Sequence, residues 1–196
     1  MSTLAVIFPV LRTTRLRLEP VRPEHADLMF EGLQDPSLYR YQNDPIPATR
    51  AALRERYARL ASGRAPGPGG ALWLNWISID ADGAATGYVQ ATVDAAFAHA
   101  EIGYVILAAQ QRRGYAREGV GALVAQLFAC GAGVVRATVD RRNVASQRVL
   151  ARLGFTRVRS RRSDDVIGGM RGIDDDYERI APARRGGGAA VPKTIA

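Results

Sequence analysis

The chain has 196 residues, 47% of them hydrophobic, enough for one domain with a buried core. One cysteine, Cys130, and two histidines, His25 and His99, exclude an internal disulfide framework and argue against a zinc site, so no metal is expected. The net charge is +8, yet Lys193 is the only lysine and the arginines are scattered without interleaved aromatics; this reads as composition spread over the chain and argues against nucleic acid as the main partner.

In chain order, residues 15–20 alternate apolar and polar, as a half-buried strand does. Pro23 opens a short helical stretch with Leu28 and Phe30, and residues 42–47 read as a loop. Leu53, Tyr57 and Leu60 fall at i, i+4, i+7, the stripe of an amphipathic helix. Residues 63–70, rich in Gly and Pro, form a connector. Strands follow over 72–79, 87–93 and 100–107, the first two joined by an Asp-Ala-Asp-Gly turn. Val120, Leu123, Val124, Leu127 and Phe128 switch the period to 3.6 and define a helix ending near Gly131. A strand over 134–139, a helix through Ala145, Val149 and Leu153 closed by Gly154, and strands over 155–161 and 173–180 complete the pattern.

This order predicts an α/β domain: a mixed sheet of about seven strands with helices on both faces. The expected organisation is an extension over 1–12, the domain over 13–180 and a mobile tail over 181–196. No apolar run approaches the ~20 residues of a membrane span. The stretch from Met1 to Pro9 has no basic region ahead of its short apolar part, so no membrane association and a cytoplasmic location are expected.

Gln111-Arg112-Arg113-Gly114-Tyr115-Ala116 lies between a strand and a helix. A helix N-terminus offers unpaired N–H groups and the positive end of a dipole, a seat for a pyrophosphate. Gly114 lets the backbone approach closely. The same residues also suit a plain left-handed turn with solvated arginines. Asn143 opens the next helix as an N-cap, a role compatible with facing a ligand. Cys130 lies late in its helix, far from the helix start, and is a poor nucleophile candidate. His25 and His99 belong to no motif and read as surface residues, and Tyr104 reads as sheet packing.

Three segments together carry a resemblance: Glu101-Ile102-Gly103-Tyr104, then Arg113-Gly114-Tyr115-Ala116-Arg117-Glu118, then Asn143, Ala145, Ser146 with Leu153-Gly154-Phe155. They are similar to the motifs of the GNAT acetyltransferases, and their phrasing resembles the RimJ/RimL-like branch, as does Thr14-Arg15-Leu16-Arg17-Leu18. The resemblance implies that the sheet is mostly antiparallel and that the chain is an acetyl-CoA-dependent N-acetyltransferase acting on a primary amine. It implies that backbone groups of Val105, Ile106 and Leu107 meet the pantetheine, and that Gln111, Arg112, Arg113, Gly114, Tyr115 and Ala116 hold the pyrophosphate. Asn143 and Ser146 fall at further cofactor contacts, Glu101 at the general base, acting directly or through water, and the N–H of Ile106 at the thioester carbonyl.

The sequence departs from the family at Leu150, where many members carry a tyrosine as thiolate acid; Ser146 or water is left for that step. The segment around Tyr39, Tyr41, Gln42, Asn43 and Asp44 falls where the family lines its acceptor groove. It lacks the acidity of a polycation site, which favours a peptide or protein N-terminus. A small-molecule amine, a silent acyl-CoA-binding module and a homodimer stay open alternatives.

Overall fold

The computed structural model describes residues 8–65, 69–167 and 169–183. The expected extension and tail therefore fall partly outside the described residues, as do residues 66–68 of the connector. Eight strands form one sheet in the order β1-β2-β3-β4-β5-β6-β8-β7. They are β1 (Leu11–Arg12), β2 (Leu16–Pro20), β3 (Leu72–Asp80), β4 (Ala85–Val93), β5 (His99–Ile106), β6 (Val134–Asp140), β7 (Thr156–Ile167) and β8 (Met170–Ile180). Among the described residues the α-helices are α1 (His25–Met29), α2 (Arg50–Ala61), α3 (Tyr115–Ala129) and α4 (Val144–Arg152). The α/β class with a mixed, mostly antiparallel sheet is the one expected, with one strand more. The added strand, β1, lies within residues 1–12, and Trp76 Nε1 donates to the Pro9 carbonyl at 2.8 Å, so residues 8–12 take part in the domain.

β3 reads Leu-Trp-Leu-Asn-Trp-Ile-Ser-Ile-Asp and is buried on both faces, as its near-continuous apolar run requires. One face carries Leu18, Trp76, Val89 and Ile102 against Val120, Leu123, Val124 and Leu127 of α3 and Leu150 of α4. The other carries Ile77 and Ile79 against Ala26 and Met29 of α1 and Leu53 and Tyr57 of α2. Helices thus cover both faces of the sheet.

Two junctions place the functional edge. A Cβ on Gly87 would lie 2.0 Å from the Val105 carbonyl oxygen, so only glycine lets β4 run this close to the end of β5. The parallel pair β5–β6 holds only His99–Val134, Ala100–Val135 and Glu101–Arg136, after which the two strands part.

His25, expected at the surface, is 5% exposed. The Arg22 N–H donates to its Nδ1 at 3.0 Å, which leaves Nε2 to carry the proton toward Glu19 Oε2 at 3.3 Å. Burial lowers its pKa, so the buried ring is neutral. His99 is exposed, as expected.

Candidate active site

The parting of β5 and β6 opens a cleft of about 950 Å³. Its walls include Tyr104, Val105 and Ile106 from β5, the turn into α3, and Asn143, Ser146 and Val149 from α4. Successive amides of a strand point to opposite edges. The Leu107 N–H donates to Thr86 O on the β4 side at 3.0 Å, so the backbone groups of Ile106 face the parted edge. There the Ile106 carbonyl accepts from Gln111 Nε2 at 3.2 Å. The Leu107 side chain is 6% exposed and packs on the α1–α2 face, away from the cleft lining.

The turn before α3 is built for close approach. Gly114 is the N-cap at φ 84°, ψ 0°, and no side chain caps the helix, so its first N–H groups stay free. Arg112 also lies in the left-handed region, at φ 61°, a conformation that costs a non-glycine residue about 1–2 kcal/mol. Gln111, Arg112, Gly114, Tyr115 and Ala116 line the cleft. Arg113 is not among the lining residues, but its guanidinium lies 5.0 Å from the Tyr115 ring centroid and donates to Gln110 Oε1 at 2.6 Å, both residues of that lining.

Sequence reasoning missed the brace behind this turn. The Glu118 carboxylate accepts from Thr13 Oγ1 at 2.6 Å, from the Arg15 N–H at 2.8 Å and from Arg15 Nε at 2.8 Å. Arg15 Nη1 then donates to the Arg113 carbonyl at 2.9 Å, tying β2 to the loop. These partners lie 98 to 105 residues apart in sequence, and the only visible signal was Arg15 within the first-strand motif. A second correction concerns charge. Arg15, Arg40, Arg112, Arg117, Arg148 and Arg152 all line the cleft, so arginines scattered in sequence converge into one positive site suited to phosphates.

Asn143 caps α4, its Oδ1 accepting the Ser146 N–H at 3.1 Å, and also lines the cleft. Tyr104, expected as packing, lines the same cleft and donates to the Ser146 carbonyl at 3.4 Å. Burial raises its pKa, keeping the phenol protonated at neutral pH. Glu101 does not line the cleft. It is exposed on the last paired position before β5 and β6 part, with Thr138 Oγ1 at 3.5 Å. Cys130 sits at the opposite end of α3, ~24 Å from Gly114 at 1.5 Å per residue, and burial pushes its thiol up.

The loop over 35–50 closes the far side of the cleft with Ser37, Leu38, Arg40, Tyr41 and Gln42. Tyr39 instead donates to the Leu33 carbonyl at 2.8 Å, Asp44 pairs with Arg56 at 3.3 Å, and Asn43 is exposed. Among the described residues no cluster of three or more His, Cys, Asp or Glu could hold a metal, and no helix is long and apolar enough to cross a membrane.

Residues 15–156 match the family described as the acetyltransferase (GNAT) domain, and the chain belongs to that family. It is an acetyl-CoA-dependent N-acetyltransferase. No curated protein sequence matches it. Among solved structures it is similar to RimL, a ribosomal L7/L12 α-N-protein acetyltransferase in complex with coenzyme A, at 16% identity and TM-score 0.77, over 88% of this chain and 98% of that one. It is similar to a ribosomal-protein-S5-alanine acetyltransferase from Vibrio fischeri at 16% identity and TM-score 0.76, over 89% and 98%. A spermidine N-acetyltransferase from Vibrio cholerae, in complex with CoA and spermine, matches at 15% identity and TM-score 0.74, over 86% and 97%. At these identities the likeness is one of fold.

Proposed function

We propose that the chain belongs to the RimJ/RimL-like branch and acetylates the N-terminal amine of a peptide or protein. The observation that carries this reading is the cleft itself, arginine-lined at the turn into α3 and closed opposite by Ser37, Leu38, Arg40, Tyr41 and Gln42, a wall without a carboxylate. A wall built for a polycation would carry unpaired carboxylates, whereas Glu118 of the cleft lining and Asp44 of the 35–50 loop are each engaged by an arginine.

In this reading the free N–H groups of Tyr115 and Ala116 hold the pyrophosphate, with Arg112 beside them. The bound cosubstrate supplies an activated acetyl thioester. The acceptor nitrogen bonds to the acetyl carbonyl carbon while the Ile106 N–H stabilises the charge growing on the carbonyl oxygen. The amine proton passes through water to Glu101, which stands outside the cleft wall and so acts by relay. The C–S bond then breaks and the departing sulfur takes a proton delivered from Ser146 or from Tyr104. Leu150, in place of the usual tyrosine, is 0% exposed and packs in the core.

The test compares thiol release from acetyl-CoA with short peptides against spermidine and aminoglycosides. Peptides are expected to give the higher kcat/KM. A higher value for any polycation overturns the acceptor assignment and leaves the acetyltransferase class intact.

A further inference from the structure

A second, smaller cavity of about 30 Å³ lies between α2 and the sheet, walled by Tyr57, Asn75, Tyr88 and Gln90 over an apolar floor that includes Leu33 and Ile77. Tyr57 is 5% exposed, and its hydroxyl has no hydrogen-bond partner among the described residues. Buried hydroxyls are ordinarily satisfied, and an orphan is unfavourable unless something docks against it. The cavity adjoins the acetyl-transfer cleft. Gln42 lines both, and Tyr88 and Gln90 pair in register with Val105 and Gly103 of β5. Gln90 packs directly over Gly103, where a Cβ would meet its Nε2 at 3.0 Å.

We propose that this cavity is a selectivity pocket for the acceptor, taking a small, uncharged, hydrogen-bonding group whose oxygen meets the Tyr57 hydroxyl. The proposal rests on the acetyltransferase reading and deepens it. Size follows from the volume: about 10–15 Å³ of such space holds one water, so the occupant has roughly one to three heavy atoms. Neutrality follows from the charges. The only ionisable acid and base on the wall, Asp44 and Arg56, already pair with each other at 3.3 Å and leave no counter-charge for an ammonium or a carboxylate. Polarity follows from Tyr57 together with the carboxamide of Asn75, which makes no hydrogen bond among the described residues and lies in a residue 7% exposed.

The experiment uses the full chain and its Tyr57→Phe variant. Amino alcohols of two to five carbons are compared with n-alkylamines of equal heavy-atom count as acceptors of acetyl from acetyl-CoA. In the wild type, one chain length is expected to favour the hydroxyl over the methyl by about threefold to tenfold in kcat/KM, the scale of one neutral hydrogen bond. In Tyr57→Phe that ratio falls to about one while acetyl-CoA affinity is unchanged. Removing an orphaned hydroxyl is also expected to raise Tm by about 2–4 °C. Discrimination that persists in the variant, or a lowered Tm, overturns the pocket. The melting measurement needs no turnover, so absence of thiol release with every amine would count against the acetyltransferase reading alone.

Discussion

Gly114→Val separates the cofactor turn from the rest of the fold. The residue holds φ 84°, where a β-branched side chain is an outlier and an ordinary L-residue loses about 1–2 kcal/mol. Its Cβ would also reach within 3.3 Å of Arg15 Nη2 and crowd the guanidinium that holds the Arg113 carbonyl and the Glu118 carboxylate. Two effects are therefore expected. Strain lowers Tm by roughly 2–4 °C per kcal/mol in a chain of this size. Displacing one N–H from a phosphate oxygen removes a hydrogen bond to a charged group, about 1.5–3 kcal/mol, which weakens acetyl-CoA binding by on the order of 10- to 100-fold. Calorimetric titration with acetyl-CoA and a thermal melt read the two separately. Gly114→Asn is the control, because asparagine tolerates the left-handed region, and it should recover most of the Tm loss. If the valine variant melts lower yet binds acetyl-CoA within twofold of wild type, the pyrophosphate does not rest on this turn.

Glu101→Gln is expected to reduce kcat by ~10²-fold while acetyl-CoA affinity stays constant; wild-type turnover across pH in this variant would remove the relay. Tyr104→Phe and Ser146→Ala, compared for thiol release, are expected to differ, and the larger fall in kcat identifies the donor to the departing sulfur. Asp175 is held down to about 2, chiefly by the hydrogen bond from Arg141, with burial opposing. Its folded pKa lies below the unfolded one, so its stabilisation is fully present above pH ~4 and is lost as pH falls toward 2; at 1.36 kcal/mol per unit it is about 2 kcal/mol. Urea midpoints between pH 3 and 5 should therefore drop in the wild type more steeply than in Asp175→Asn, and parallel curves would refute the assignment.

The elements with strong apolar periodicity were legible from the sequence: β3 with its Trp and Ile run, α3 with its stripe from Val120 to Leu127, and the Asp80–Gly83 turn that joins β3 to β4. So were the two helix starts that line the cleft, because Gly114 and Asn143 act through local backbone conformation that their neighbours in sequence specify. The β7–β8 hairpin was read too short. Its strands carry Arg157, Arg159 and Arg161 against Asp174, Asp175 and Asp176, so its pairing rests on cross-strand charge rather than alternating hydrophobicity. That complementarity appears only once the register is known. His25 was misread because its burial depends on the Arg22 N–H and on Glu19 of the neighbouring strand, neither of which marks the residue in a motif. The arginine convergence in the cleft escaped for the same reason: composition counts charges, whereas the fold decides where they meet.

The short pairing of β5 with β6 has a mechanical consequence. Three residue pairs stitch β1 through β5 to the block of β6, β8 and β7, so the seam between two half-sheets runs through the binding cleft. A molecule lying in that opening and hydrogen-bonded to both sides works as a non-covalent strap. Saturation at a hundred times Kd adds about 2.7 kcal/mol to global stability, and the share felt locally falls on amides flanking the seam, from Tyr104 to Ile106 and from Ala137 to Asp140. Hydrogen exchange there should slow on ligation more than in β2 or β3, which lie far inside one half. The shortest pairing inside the sheet, away from its β1 edge, and the expected site of ligand protection are thus one line, so occupancy is expected to couple the two halves.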